Sequence, residues 1–123
     1  MTTDIQTRRL FVPLANDPFR WFAEGQKRWE LRKYGRQYTE RNVRVGQSVE
    51  LRRGYNTKQS LWGRIGETTC AANVRDFFDK VDYEVVVPDA GSKAEAIEIA
   101  EKILGIASGS EVPLFAFKVE LGG

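Results

Sequence analysis

Apolar and polar side chains alternate in five stretches of this chain, and such alternation is typical of half-buried β-strands. In the last of these stretches Phe115, Phe117 and Val119 alternate with small or charged residues. The five predicted strands cover residues 8–14, 27–32, 47–53, 60–72 and 113–121. Gly63 and Gly66 lie inside the fourth strand, where they predict a bulge or a tight bend.

Capping residues and apolar spacing predict three helices between these strands. The first begins at the sequence Asn-Asp-Pro of residues 16–18, with a capping asparagine and a proline in the first turn, and it ends at Gly25. The second begins after Asn73. The third begins at Ser92, the first residue of an S-x-x-E capping pattern, and it ends at Gly105.

The order of these elements predicts the fold class. Strands and helices do not alternate regularly enough for a parallel α/β sheet, so we expect an α+β fold. Residues 83–87 predict a short extended segment, and the glutamates of the third helix, among them Glu101, predict its solvated face. A chain of 123 residues can bury one core, which predicts a single domain over residues 8–121 after a flexible N-terminus of residues 1–7.

The most informative stretch for a functional site is the octet of residues 25–32, Gly-Gln-Lys-Arg-Trp-Glu-Leu-Arg. Its apolar residues predict the buried side of a strand, which leaves Glu30 and Arg32 together on the other side, close enough to pair. Lys27 enters from the turn at Gly25 and can reach the same side. The octet therefore predicts a cluster of three charges, which either binds a ligand or forms a salt-bridge network that fixes the turn.

The octet fits the pattern GxKxxExR, with Gly25, Lys27, Glu30 and Arg32 at its defined positions. In this it resembles the signature of the ASCH domain, a branch of the PUA-like superfamily, and the order of predicted elements over residues 8–121 agrees. The resemblance implies a small, partly open PUA-like β-barrel flanked by helices, with the octet lining a cleft beside the barrel. It also implies RNA or a nucleotide-like ligand as the partner.

Basic residues are concentrated in the first half of the chain. Residues 1–64 contain 14 basic and 6 acidic residues, whereas residues 65–123 contain 5 and 11, although the net charge is only +2. This separation predicts a basic face for an anionic partner. The alternative is that the two halves attract each other across the fold.

The composition excludes several common kinds of site. There is no histidine, and Cys70 is the only cysteine. The usual zinc sites and the Ser-His and Cys-His nucleophile systems are therefore excluded, and no disulfide can form within the chain. No run of about 18 apolar residues predicts a membrane span, and no signal peptide is recognisable, so we expect a cytoplasmic protein. The sequence does not indicate an oligomeric state.

Residues 33–42 are polar and interleave arginine with tyrosine, which predicts an exposed loop at the rim of the site. Arginine can bind phosphate through its forked donors, and tyrosine can stack on an unpaired base. The candidates for stacking are Tyr34, Tyr38 and Tyr55. The candidates for contact with the nucleic-acid backbone are Arg28, Lys33, Arg36, Arg52 and Arg53. The alternative is a solvated loop whose tyrosines fold back on the core.

The leading hypothesis is a domain that binds RNA or single-stranded nucleic acid, with hydrolysis of RNA as its activity if it is an enzyme. Lys27 would contact phosphate or stabilise developing charge. Glu30 would be the general base, or a ligand of a divalent metal such as Mn²⁺ or Mg²⁺, and Arg32 would pair with Glu30 or with phosphate.

Two alternatives remain open. The first is an amidohydrolase that acts on an N4-acylated cytidine or a similar modified nucleoside. In the superfamily branch with that activity, a threonine stands where this chain has Glu30 and a downstream glutamate assists it. Lys27 matches that branch, but the hydroxyl is missing, and the nearest downstream acids are Glu84 and Asp89. The second alternative is a non-catalytic reader of a modified base.

Overall fold

The structure is a computed structural model that describes residues 8–55 and 58–122. Within these residues the strands are β1 (Leu10–Leu14), β2 (Trp29–Lys33), β3 (Ser48–Arg53), β4 (Ser60–Ala71) and β5 (Leu114–Leu121). The helices are α1 (Asn16–Ala23), α2 (Val74–Lys80) and α3 (Lys93–Leu104). The predicted flexible N-terminus, residues 1–7, lies outside the described residues.

The five strands form one sheet in the order β1-β3-β4-β5-β2. β1 pairs with β3 in parallel, and the other neighbours are antiparallel. The sheet curls into half a barrel, and its two edge strands, β1 and β2, face each other across the opening. Arg32 on β2 spans this opening, because its Nη2 donates to the carbonyl of Pro13 on β1 at 2.8 Å. The predicted α+β class, with a partly open barrel flanked by helices, is confirmed.

The two glycines of β4 permit the curvature of the sheet, as the sequence predicts. The register between β4 and β5 shifts between Ile65 and Glu67, which places Gly66 at a bulge. At Gly63 a side chain would overlap the backbone carbonyl of Glu120 on β5. Only glycine fits so close an approach of two strands.

Apolar side chains pack on both faces of the sheet. One core cluster lies between the sheet and helices α2 and α3, where Trp29 meets Phe77. The other fills the hollow of the half barrel and contains Phe22, Leu51 and Phe117. β5 is buried on both faces, which explains why it begins with the continuous apolar run LFAF instead of strict alternation.

The capping residues predicted for α2 and α3 are confirmed. The side chain of Asn73 accepts from the backbone N–H of Asp76, and Ser92 accepts from Glu95 in the same way. Gly105 closes α3 with φ 71°, in the left-handed region that glycine favours. These caps satisfy backbone groups that the helix itself leaves unpaired.

The N-terminus of α1 differs from the prediction. Ala15 occupies the capping position and provides no side-chain hydrogen bond, while Asn16 is already the first helical residue. The Oδ1 of Asn16 instead accepts from Nη1 of Arg53, the last residue of β3, at 3.0 Å. A tertiary partner has therefore replaced the local cap.

Two further predictions were wrong. The segment predicted as extended contains a 3-10 turn, Tyr83–Val85, because the carboxylate of Asp82 caps it by accepting from the backbone N–H of Glu84. Glu101 is not on a solvated face but is 5% exposed. It accepts from the backbone N–H of Gly109 at 2.9 Å, since the loop after α3 folds back over the helix.

Candidate functional site

The octet begins in the turn after α1 and continues into β2. Gly25 has φ 78°, a conformation that residues with side chains rarely adopt, and the chain reverses there. The backbone N–H groups of Gln26 and Lys27 both donate to the carbonyl of Trp21, at 2.9 and 3.1 Å. The position of Lys27 is therefore fixed by the end of α1 before the strand begins.

Three charged side chains of the octet meet at one buried point, as the sequence predicts. Lys27 Nζ lies 3.4 Å from Glu30 Oε1, and Arg32 Nε donates to Glu30 Oε2 at 2.6 Å. Lys27 Nζ also donates to the carbonyl of Val86 at 2.6 Å. Burial lowers the pKa of Lys27, and the adjacent carboxylate of Glu30 opposes that shift. The two oxygens of the Glu30 carboxylate therefore have different cationic partners, Lys27 at Oε1 and Arg32 at Oε2.

Arg32 connects this cluster to the rest of the opening. Its Nη1 donates to the hydroxyl of Tyr38 at 3.0 Å, and its guanidinium lies 5.1 Å from the centre of the Tyr38 ring. Burial would lower the pKa of Arg32, but the carboxylate of Glu30 together with Tyr38 and Tyr55 outweighs burial, and the pKa is raised. With its bond to Pro13, this one side chain ties β1, β2 and the following loop together.

A cleft of about 950 Å³ lies beside the charged cluster. One wall is polar and aromatic, formed by Glu30, Arg32, Lys33, Tyr34, Arg36, Gln37, Tyr38 and Tyr55. The remainder of the lining includes an apolar wall, formed by Leu14, Pro18, Ile103, Leu104, Val112 and Pro113. Ile103 remains 63% exposed there, although its spacing along α3 is that of a core residue. The cleft can therefore accept a ligand with one apolar face and one polar edge.

The sequence-predicted residues divide into two groups. Glu30, Arg32, Lys33, Tyr34, Arg36, Tyr38 and Tyr55 line the cleft, whereas Lys27, Arg28, Arg52 and Arg53 do not. Lys27 lies behind Glu30 and is 6% exposed. Arg28 is exposed elsewhere on the surface, and its backbone N–H donates to the carbonyl of Val85. Arg53 donates to Asn16 at the start of α1.

The three tyrosines differ in how they are held. Tyr38 is half-buried with its ring stacked on Phe117, at 6.0 Å between centroids and 8° between planes. Burial raises its pKa. Tyr34 is 44% exposed and donates its hydroxyl hydrogen to Glu40, and Tyr55 is 72% exposed. The ring of Tyr34 also contacts Phe115 at 6.3 Å and that of Tyr55 contacts Phe11 at 6.1 Å between centroids, but both rings keep exposed surface in the cleft.

The apolar wall was not predicted from the sequence. Ile103 and Leu104 end α3, and Val112 and Pro113 precede β5, so the two pairs are separated along the chain and from the octet. Apolar spacing predicted the first pair as core residues. Only the packing of α3 beside β2 makes them part of a cleft.

A second glutamate–arginine pair has the same spacing on β3. Glu50 Oε2 accepts from Arg52 Nη2 at 2.7 Å and from the hydroxyl of Ser60 at 2.6 Å, and Glu50 Oε1 pairs with Arg9 at 3.2 Å. Burial raises the pKa of Glu50, but these partners outweigh it and the pKa lies below its ordinary value of 4.5. This pair does not line the cleft.

The low pKa of Glu50 predicts how the stability of the fold depends on pH in acid. Because the folded carboxylate binds its proton less readily than the unfolded one, its stabilising effect is present above pH 4.5 and is lost as pH falls through the folded pKa. We expect urea unfolding midpoints to fall less steeply below pH 4.5 in Glu50→Gln than in the wild type. The exposed carboxylate of Glu67 offers a control, since Glu67→Gln should keep the wild-type slope. A Glu50→Gln slope equal to that of wild type contradicts the prediction.

The described residues contain neither a cluster of metal ligands nor a membrane-spanning helix. Within residues 8–55 and 58–122, no group of three or more Cys, Asp or Glu side chains could hold a metal ion. Glu30 is the one carboxylate among the described residues that line the cleft. Over the same ranges, no helix combines the length and apolar character needed to cross a membrane.

Comparisons with known proteins support the fold. Neither the protein-family models nor the curated proteins compared with this sequence give a match. Among solved structures, the hypothetical protein PH0355 superposes with a TM-score of 0.74 at 15% identity, covering 94% of this chain and 100% of that one. Protein PF0455 from Pyrococcus furiosus superposes with a TM-score of 0.63 at 18% identity, covering 93% and 97%.

A third similar structure is the ASCH protein from Zymomonas mobilis. It superposes with a TM-score of 0.57 at 11% identity, covering 93% of this chain and 68% of that one. The fold predicted from the GxKxxExR octet is therefore confirmed: the chain has an ASCH-type, PUA-like fold.

Proposed function

We propose that this domain binds single-stranded RNA, or another single nucleic-acid strand, in the cleft beside the octet. The observation that carries the proposal is the composition of the cleft walls. The partly exposed rings of Tyr34 and Tyr55 line the same cleft as the Glu30–Arg32 pair and the apolar wall. A nucleobase has flat apolar faces and a polar edge, and such an opening suits both.

Each part of the cleft has a proposed role. Tyr34 and Tyr55 stack on bases, while Lys33 and Arg36 contact phosphates at the rim. Arg36 has φ 52°, which residues other than glycine rarely adopt, and the side chain of Asn42 donates to its carbonyl at 3.2 Å. This conformation holds the Arg36 side chain at the rim of the cleft.

The buried carboxylate supplies the polar contact in the cleft. Each oxygen of Glu30 has one cationic partner and retains a further lone pair, so it can accept from an exocyclic amine or a ribose hydroxyl. Lys27 is buried behind Glu30, and we assign it to positioning that carboxylate instead of contacting phosphate. Arg32 orients the same carboxylate and faces the ligand.

Cleavage of RNA is the proposed activity if the domain is an enzyme. Glu30 would take the proton of the attacking ribose 2′-hydroxyl while the hydroxyl oxygen bonds to the adjacent phosphorus. The bond from phosphorus to the 5′-oxygen of the next nucleotide would break, and that oxygen would take a proton from water. Arg32 would stabilise the charge that develops on the phosphate. Hydrolysis of an acylated cytidine has less support. Among the described residues that line the cleft there is no serine or threonine, and neither Glu84 nor Asp89 is among them.

The proposal predicts salt-sensitive binding that depends on the exposed tyrosines. We expect short fluorescent single-stranded RNA to bind the wild type, with affinity that falls as salt rises. Tyr55→Ala should weaken binding roughly 5- to 150-fold, the equivalent of losing about 1–3 kcal/mol of stacking on one base. Fluorescence anisotropy measures both effects.

The conservative variant Tyr55→Phe is the control, because it keeps the ring and should bind as the wild type does. Circular dichroism verifies that each variant is folded. No binding of RNA by the wild type at low salt, or equal binding by Tyr55→Ala and the wild type, contradicts the proposal.

A gel assay then separates binding from cleavage. The same RNA is incubated with wild type and with Glu30→Gln, each with Mn²⁺ and with chelator. Products that require the wild-type glutamate assign a ribonuclease, and the chelator lane shows whether a metal takes part. RNA that is shifted but intact in every lane assigns a binding module.

A further inference from the structure

A second, smaller cavity of about 230 Å³ adjoins the cleft. Four arginines line it: Arg8, Arg9, Arg41 and Arg44. We call this cavity the arginine pocket. Among the described residues that line it there is no aspartate or glutamate. So many cations around one small cavity produce a strong positive potential, which favours an anionic ligand.

Most of these charges have no internal counterion. Arg9 pairs with Glu50 at 3.2 Å. Over residues 8–55 and 58–122, Arg8, Arg41 and Arg44 form no ion pair with a carboxylate. Arg44 Nε donates to the carbonyl of Arg41 at 3.3 Å, which leaves its two Nη groups available together with the guanidinium groups of Arg8 and Arg41. Forked guanidinium donors match the oxygens of a phosphate.

The backbone of the arginine pocket is held by a buried side chain. Gln47 is 7% exposed, and its Oε1 accepts from the backbone N–H of Arg44 at 2.9 Å. Its Nε2 donates to the carbonyls of Arg8 at 2.9 Å and Asn42 at 3.2 Å. One amide thus joins the segment before β1 to the loop before β3, which brings the arginines together before any ligand binds.

Gln37 connects the arginine pocket to the cleft, because it lines both. Its Nε2 donates to the carbonyl of Phe11 on β1 at 3.1 Å, which fixes its position between them. The arginine pocket is smaller than the roughly 300–1,000 Å³ of ordinary small-molecule sites. It suits a phosphate group better than a base or a nucleoside.

We infer that the arginine pocket is a phosphate subsite of the cleft, and that the ligand is a phosphodiester strand and not a free nucleoside. This inference rests on the proposed function and adds to it. In this arrangement a strand with a base beside Tyr55 would pass Gln37, which lines both cavities, and would place a phosphate in the arginine pocket. A free nucleoside would occupy the cleft and leave the arginines without a partner.

The test is the double variant Arg41→Gln/Arg44→Gln, in which both positions are exposed and a neutral polar side chain remains at each. We expect its affinity for short single-stranded RNA to fall about tenfold or more near 0.1 M salt. The slope of log affinity against log salt should decrease by about 0.7, since one phosphate enters the arginine pocket and each neutralised phosphate of a single strand contributes about 0.7. The control Arg75→Gln/Lys93→Gln removes the same charge from α2 and α3, outside both cavities, and should retain wild-type binding.

A second measurement compares ligands on the wild-type protein. A dinucleoside monophosphate should bind more tightly than the corresponding free nucleoside, and Arg41→Gln/Arg44→Gln should abolish that difference. The inference is overturned if the double variant matches its control in affinity and slope, or if the nucleoside binds as tightly as the dinucleotide. Those results leave the proposed function intact when Tyr55→Ala still weakens RNA binding. Failure of the wild type to bind RNA instead overturns the proposed function itself.

Discussion

Lys27→Met is expected to lower the free energy of unfolding by roughly 3–5 kcal/mol, the usual cost of removing one partner from a buried ion pair. Methionine keeps the apolar stem but removes the ammonium group that contacts Val86 and Glu30. The carbonyl of Val86 then loses its donor, and the buried carboxylate retains only Arg32. Urea unfolding followed by tryptophan fluorescence measures the change.

Two variants show whether burial causes that loss. Lys93→Met removes a lysine whose ion pair with Asp79 is exposed, and it should cost at most about 1 kcal/mol. Adding Glu30→Gln to Lys27→Met removes the uncompensated negative charge and should restore part of the lost stability. A Lys27→Met protein as stable as wild type contradicts a structural role for the buried pair.

Arg32→Lys is expected to lower both stability and RNA affinity, although the charge is unchanged. Lysine can still pair with Glu30 but cannot also reach Tyr38 and Pro13 with fixed, forked donors. We expect a loss of roughly 1.5–3 kcal/mol in unfolding free energy, the range for one hydrogen bond to a charged group. RNA affinity should fall about tenfold or more, because β1, β2 and the loop that form the cleft are no longer joined.

The matched control is Arg52→Lys. Arg52 pairs with Glu50 at the same two-residue spacing on β3, but it does not line the cleft. Its replacement should lower stability while RNA affinity, measured by anisotropy, stays at the wild-type value. If Arg32→Lys and Arg52→Lys change RNA affinity equally, the special position of Arg32 at the opening has no role in binding.

Local signals in the sequence predicted most of the elements. Ser92 and Gly105 mark the ends of α3 because caps act on backbone groups within one turn. Gly63 and Gly66 mark the curvature of β4 because a bulge is a property of a few residues. The segment after Asp82 was predicted wrongly, since its short apolar run suits an extended segment as well as a turn.

The candidate site was predicted only in part. The spacing of Glu30 and Arg32 along one strand predicts that they pair, and they do. The same spacing cannot show that Lys27 lies behind the carboxylate, because the carbonyl that holds it belongs to Val86, 59 residues further along. Burial depends on what packs over a residue, and that partner is remote in sequence.

By itself, the sequence determined which segments are strands and helices, where most of them end, and that three charges of one octet meet. These features depend on side-chain periodicity and on contacts within a few residues. Only the tertiary structure decided which charges face the cleft, that the end of α3 supplies its apolar wall, and that Arg8 and Arg9 meet Arg41 and Arg44. Those arrangements arise when the sheet curls and brings segments that are distant in sequence together. Local patterns of side chains do not predict such contacts.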